Sequence, residues 1–168
     1  MIETLKTLNH MKKDGAIRDY AIGGGYAVNY YLEPILTYDL DIYVLMNNEI
    51  EFHDLYEYSR RMAYKIESIY IFIDGIPVQF LPSYIHPLID DAVKKAKKIR
   101  VRNVPSKVLT VEHLIATLLM AFRAKDKMVI PSLMEMADKR KLRSVVERFS
   151  DEKTPLYQRF RKILESIR

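Results

Sequence analysis

Residues 23 to 25 are three consecutive glycines in a chain of 168 residues that has only five, and thirteen residues after them comes Asp39-Leu40-Asp41. Glycine has no Cβ, so a run of three marks a place where the backbone bends sharply or passes close to another group. The residues before the run, Arg18 to Ile22, read as a short strand. Those after it read as a helix with Ala27, Val28, Tyr31 and Leu32 inward, ended by Pro34. The segment TYDLDIYVLM then alternates. Strand side chains point to opposite faces in turn, which places Thr37, Asp39, Asp41 and Tyr43 on one face and Tyr38, Leu40, Ile42 and Val44 on the other.

Further elements surround this unit. Ile2, Leu5, Leu8 and Met11 recur at helical spacing, and Gly15 ends that helix. Residues 52 to 64 are again helical, and IESIYIFIDGIPVQFLPS reads as two apolar strands joined at Asp74-Gly75, a strong hairpin signal. Residues 90 to 98 read as a basic helix and IRVRNVPS as one more strand. Beyond Pro105 the pattern turns helical: Thr110 caps an apolar helix carrying Leu114, Ile115, Leu118, Leu119 and Phe122. Pro131 and Pro155 then open helices over 131–148 and 155–167. This order predicts an α/β (α+β) core over residues 1–107 and a helical C-terminal region over 108–168, packed on the core or continuous with it as a single domain.

Composition narrows the chemistry. The chain is 49% hydrophobic and long enough for one buried core. It has no cysteine, which excludes disulfides, thiolate metal sites and thiol nucleophiles. The N-terminal residues lack the pattern of a signal peptide, and the longest apolar stretch, Leu114 to Phe122, is too short to span a bilayer. A soluble cytoplasmic protein with no membrane partner is the expectation. His10, His53, His86 and His113 lie far apart and match no metal-binding spacing. Residues 1–93 hold 7 Lys+Arg against 14 Asp+Glu, net −7, whereas residues 94–168 hold 20 against 8, net +12. An acidic half joined to a basic half suits a metal-bound polyanion between them, and equally suits simple attraction within the fold.

Glycines that open a helix let a phosphate reach its unpaired backbone N–H groups and positive dipole end. Taken alone, the triplet also reads as a tight turn, and neither G-x-G-x-x-G nor G-x-x-x-x-G-K-[ST] is present. Asp39 and Asp41 on one strand face can share Mg2+, which prefers carboxylate oxygens together with substrate phosphates. Taken alone, they also read as an exposed strand face.

Together, strand, Gly24-Gly25, helix and DLDI in the next strand resemble the signature of the DNA polymerase beta-like nucleotidyltransferase superfamily. Within it, GGYAV and TYDLD look most like the small bacterial nucleotidyltransferases related to abortive-infection toxins of type IV toxin-antitoxin systems. AFRAKD at 121–126 resembles their helical R-x-K-D motif. The resemblance implies a nucleotidyltransferase-like mixed sheet with flanking helices. It also implies Mg2+- or Mn2+-dependent attack of a hydroxyl on the alpha phosphate of a nucleoside triphosphate such as ATP. On this reading Gly23, Gly24 and Gly25, with Arg123, Lys125 and Asp126, meet the nucleotide, and Asp39 and Asp41 hold metal. An RNA or protein acceptor and a cognate antitoxin or other partner protein are further implications.

The chain departs from the family pattern at several positions. A third acid is usual on a neighbouring strand, and the matching residue here is Gln79, whose amide cannot take a proton. Relatives often have arginine where this chain has Ile35 and lysine where it has Leu118. These losses leave a second reading open: a nucleotide-binding pseudoenzyme or partner module. Tyr26 and Tyr43 are candidates to stack on a base or to pack. The basic run KKAKKIRVR at 94–102 is a candidate RNA contact or a solvated face.

Overall fold

The computed structural model describes residues 1–167. Its elements run α1 (Ile2–Lys13), β1 (Tyr20–Ile22), α2 (Gly24–Tyr31), β2 (Leu40–Val44), α3 (Glu49–Arg61), β3 (Lys65–Glu67), β4 (Tyr70–Ile73) and β5 (Ile76–Pro82). A single 3-10 turn, Ser83–Ile85, leads to α4 (Pro87–Lys94), β6 (Lys97–Val101), β7 (Val104–Val108), α5 (Val111–Ala121), α6 (Ala124–Met136), α7 (Lys139–Phe149) and α8 (Pro155–Ser166).

One seven-stranded mixed sheet has the order β3-β4-β5-β2-β1-β7-β6. β2 pairs antiparallel with β1 and parallel with β5, and β1 pairs parallel with β7. β2 is therefore central, and Leu40, Ile42 and Val44 are completely buried while Tyr43 is nearly so. Burial on both faces explains why its sequence is apolar apart from Asp41. The apolar stripe of α1, Leu5, Leu8 and Met11, is wholly buried, as its periodicity predicts. α5 is enclosed most fully, packing against α2, α4, α6, α7 and α8, so the C-terminal helices share the core of the sheet.

Several boundaries differ from the sequence expectation. The strand of the paired acids begins at Leu40, not Thr37; residues 34–38 have no regular structure. The segment read as one strand over IRVRNVPS is the hairpin β6–β7, because Arg102 and Asn103 both take left-handed φ values of 45° and 70° and close a two-residue turn. The first apolar run before Asp74 likewise folds into β3 and β4. The helix expected at 90–98 lies at Pro87–Lys94, because the His86 ring nitrogen accepts from the Leu88 N–H at 3.0 Å and Pro87 occupies the first helical position. Pro131 does not open a helix: it sits inside α6. The next helix starts after Asp138, whose carboxylate accepts from the N–H groups of Arg140 and Lys141 at 3.0 and 3.1 Å. Pro155 opens α8 as expected.

Candidate active site

The glycine run passes directly over β2. The Gly23 N–H donates to the Asp41 carbonyl at 2.9 Å, so the turn is pinned to the strand by its backbone. A Cβ at Gly23 would overlap the Tyr43 ring, one at Gly24 the Asp41 carboxylate, and one at Gly25 would stand 2.5 Å from Thr37 Oγ1. The three glycines thus face Tyr43, Asp41 and Thr37 in turn. Gly24 also has φ of 54°, which other residues adopt only with strain. The run is needed for close approach to the face that carries the acids, which answers why so glycine-poor a chain places three together.

Asp41 is mostly buried, and Asp39 lies close enough to share a hydrogen with it. Burial, then the charge of Asp39 and that shared hydrogen, push the Asp41 carboxyl up to about 7, against the weaker opposing pull of Arg123 and Lys125. The positive charges of Arg123 and Lys125 thus offset only part of the effect of burial and of Asp39. The direct ion pair of Arg123 goes instead to Asp126, at 3.0 Å. Two close carboxylates of this kind are the donor set Mg2+ takes when phosphate oxygens and waters complete its octahedron. Among the described residues no cluster of three or more His, Asp or Glu forms an all-protein cage.

Residues of the R-x-K-D segment converge on the same place. Phe122 ends α5 in a left-handed conformation, φ 48°, and the chain turns at once into α6. Buried Asp126 accepts from the Arg123 backbone N–H at 2.9 Å and from its Nε at 3.0 Å. Asp126 thereby holds the helix start and the guanidinium together. Asp126, expected near the nucleotide as a polar contact at this helix end, has both its oxygens facing Arg123.

Gln79 lies opposite Asp41 in the parallel β2–β5 pairing, and Tyr70 lies opposite Gln79 in the β4–β5 hairpin. The charge of Asp39 is the largest influence raising the Tyr70 hydroxyl, followed by burial and Asp41, so this ring too belongs to the neighbourhood. Tyr70 was not singled out from the sequence. Counting back from the Asp74-Gly75 turn, in the register Ile73↔Ile76, reaches Tyr70↔Gln79 and supplies the missing signal. Tyr38 is also displaced from expectation: lying outside β2 it escapes the strand alternation, is 70% exposed, and meets the Tyr70 ring edge-on at 6.2 Å. Tyr43 is packed beneath Gly23 and nearly buried, which removes it as a stacking surface. The basic run lies elsewhere, ending α4 and forming the edge strand β6 with Lys97, Lys98 and Arg100 exposed. Lysine on an edge strand also discourages pairing with another chain.

No protein-family model matches the chain, and no curated protein matches it by sequence. Solved structures do match. An antigenic nucleotidyltransferase-like protein from Paracoccidioides brasiliensis superposes with a TM-score of 0.64 at 12% identity, covering 98% of this chain and 88% of that one. ANT(2'')-Ia in complex with adenylyl-2''-tobramycin matches with a TM-score of 0.52 at 14% identity, covering 85% of this chain and 95% of that one. The solution structure of the same antibiotic-resistance factor matches at 0.53 and 12% identity, covering 88% of each chain. The chain has a nucleotidyltransferase-like fold, and at these identities the likeness is one of fold.

Proposed function

We propose that the protein is a Mg2+-dependent nucleotidyltransferase that moves a nucleoside monophosphate from a nucleoside triphosphate to a hydroxyl acceptor. The observation that carries this is the Asp41 carboxylate, with the charge of Asp39 beside it, lying directly against Gly24 at the start of α2. The N-terminus of α2, opened by Gly24 and Gly25, offers backbone N–H groups to the triphosphate, while the Gly23 N–H is held by the Asp41 carbonyl. Arg123 and Lys125 add positive charge on the same side, and Asp126 orients the former. Asp39 and Asp41 would hold Mg2+, or Mn2+, which neutralises phosphate charge and favours loss of the acceptor's proton. The acceptor oxygen then bonds to the alpha phosphorus as the bond to the bridging oxygen breaks. Pyrophosphate leaves with that electron pair, and the hydroxyl proton passes to water, since the Gln79 amide cannot hold it. ANT(2'')-Ia, whose crystal structure contains an adenylylated tobramycin, is consistent with such chemistry on this fold.

The finer reading follows the sequence resemblance: a toxin-type enzyme with an RNA or protein acceptor and a cognate antitoxin partner. The test incubates the protein with each alpha-labelled nucleoside triphosphate, Mg2+ or Mn2+ and total cell RNA or protein. Label transfer that Asp39→Asn and Asp41→Asn abolish is the expected result; equal transfer by both variants would sink the assignment.

One observation favours a second reading. Gln79 stands in register with Asp41, where an acid would complete the metal and base machinery. A nucleotide-binding pseudoenzyme predicts thermal stabilisation by triphosphate with Mg2+ and no label transfer.

A further inference from the structure

Resting on the nucleotidyltransferase reading, we infer that the open sheet face beside Asp41, floored by Tyr70 and walled by Tyr38, is the acceptor subsite and takes a nucleoside-type ring bearing the attacking hydroxyl.

Sheet order decides the side. β2 lies between β1 and β5, and the glycine turn follows β1. The triphosphate reading places the leaving pyrophosphate on the β1 side of Asp41. Attacking and leaving oxygens lie roughly in line in phosphoryl transfer, so the acceptor approaches from the opposite side, over β5 and β4.

A continuous rung of paired residues leads that way: Asp41, Gln79, Tyr70 and Glu67, on β2, β5, β4 and β3. Partners across a rung share a face of the sheet. This face is open: Tyr70 and Phe72 are half-buried, whereas Ile71 and Ile73, pointing the other way, are completely buried. Phe72 extends the aromatic floor, opposite Pro77 and with Lys65 Nζ 5.0 Å from its ring centre. Tyr38 rises from the irregular loop before Asp39 and meets Tyr70 at an interplanar angle of 85°. Two rings at right angles form a corner that takes a flat ring against one face and its edge against the other.

The chemistry of the corner selects the ligand class. A polycationic acceptor needs carboxylates around it, but beyond the catalytic pair the only acid on this rung is Glu67, already paired with Lys65 at 3.1 Å. The aromatic floor suits a flat heteroaromatic ring. Gln79, between Tyr70 and Asp41, both donates and accepts, whereas the carboxylate it replaces only accepts. It is thus able to hold a sugar hydroxyl or base edge next to the reacting oxygen. In the transfer step that hydroxyl oxygen gains the bond to the alpha phosphorus, pyrophosphate departs toward Gly23–Gly25, and the proton goes to water. A free nucleoside and the end of an RNA strand share this chemistry.

The experiment titrates adenosine, cytidine and, as a non-aromatic hydroxyl compound, glucose into the protein holding Mg2+ and a non-hydrolysable ATP analogue. Tyrosine ring resonances are followed by NMR, and thermal shift reports binding of the analogue separately. A short oligoribonucleotide with a free 3′ hydroxyl is the second arm. Adenosine or cytidine, but not glucose, is expected to shift the Tyr38 and Tyr70 rings. Tyr38→Ala with Tyr70→Ala should weaken nucleoside binding about tenfold or more, the scale of one lost stacking contact, and leave the thermal shift with the analogue unchanged. Tyr70→Phe should retain binding. Tyr38→Ala alone, at an exposed loop position, serves if the double variant does not fold. Tighter binding of the oligoribonucleotide would identify an RNA end as the source, and equal binding a free nucleoside. Unchanged nucleoside affinity in Tyr38→Ala, equal binding of glucose, or loss of the analogue from the tyrosine variants would overturn the subsite. Failure of the wild-type protein to bind the analogue at all would overturn the nucleotidyltransferase reading instead.

Discussion

The two ends of β1 carry two kinds of acid. Before the strand, the Asp19 carboxylate receives the Lys12 ammonium at 3.0 Å, the Lys107 ammonium at 2.5 Å and the Tyr20 N–H at 2.9 Å. Burial alone would raise its carboxyl, and the Lys107 and Lys12 hydrogen bonds reverse this and lower it. Beyond the other end, Asp41 lies under the glycine turn, where burial and then the charge of Asp39 push it up to about 7. An acid that supports the fold is given partners by the fold. An acid left beside a like charge is held in place by other contacts and stands ready for a partner from outside.

The comparison breaks most sharply on activity. Asp39→Asn or Asp41→Asn is expected to lower transfer by about 100-fold or more, while Asp19→Asn leaves the rate per folded molecule nearly unchanged; radiolabel assays on the three variants decide it. Gly24→Ala comes next. A methyl there meets the Asp41 carboxylate and must accept positive φ, so a loss of about 2–3 kcal/mol in urea unfolding is expected, together with loss of triphosphate binding.

The pH dependence of stability should differ in sign between the two ends. Asp19 has its folded carboxyl lowered, so its contribution is present above the unfolded value of about 4 and fades as pH falls through the lowered one. Asp19→Asn should therefore cost about 1–2 kcal/mol at pH 7 and little in strong acid. Asp41 has its folded carboxyl raised, so its penalty is absent in acid, grows from about pH 4 to about 7, and is complete above that. Asp41→Asn should gain about 1–2 kcal/mol at about pH 8 and nothing at about pH 4, and Mg2+ should raise the melting temperature of the wild type more than that of the variant. The smallest effect is reserved for Gln79→Asp, which adds a third negative charge next to Asp41. It should lower stability without metal by about 1 kcal/mol and raise transfer severalfold with it; unchanged transfer would show that the missing acid does not limit the reaction.

Much of the site was legible because it is local. Strand alternation gave Asp41 and Tyr43 a common face, and the glycine run stood at the start of the helix that covers it. The R-x-K-D segment was legible as a motif but not as a structure. Its sequence does not show that the turn at Phe122 brings the Asp126 carboxylate onto Arg123. Alternation carried back through Thr37 puts Tyr38 on the inward face of a strand, but no partner strand supplies hydrogen bonds there. Proline suits a first helical turn, so Pro131 suggests a helix start, whereas the Asp138 cap is the stronger signal and sets the start of α7.

By itself the sequence determined the strand, turn, helix and strand unit, the Asp74-Gly75 hairpin and the amphipathic helices, since each depends on residues within a few positions of one another. Only the tertiary structure decided that Gln79 and Tyr70 stand in one rung with Asp41, that the charges of Arg123 and Lys125 act on Asp41 across more than eighty residues, and that two lysines hold Asp19 while Asp41 sits beside a like charge. Those outcomes depend on sheet order and on charges brought together across many residues, and neither has a local signature in the chain.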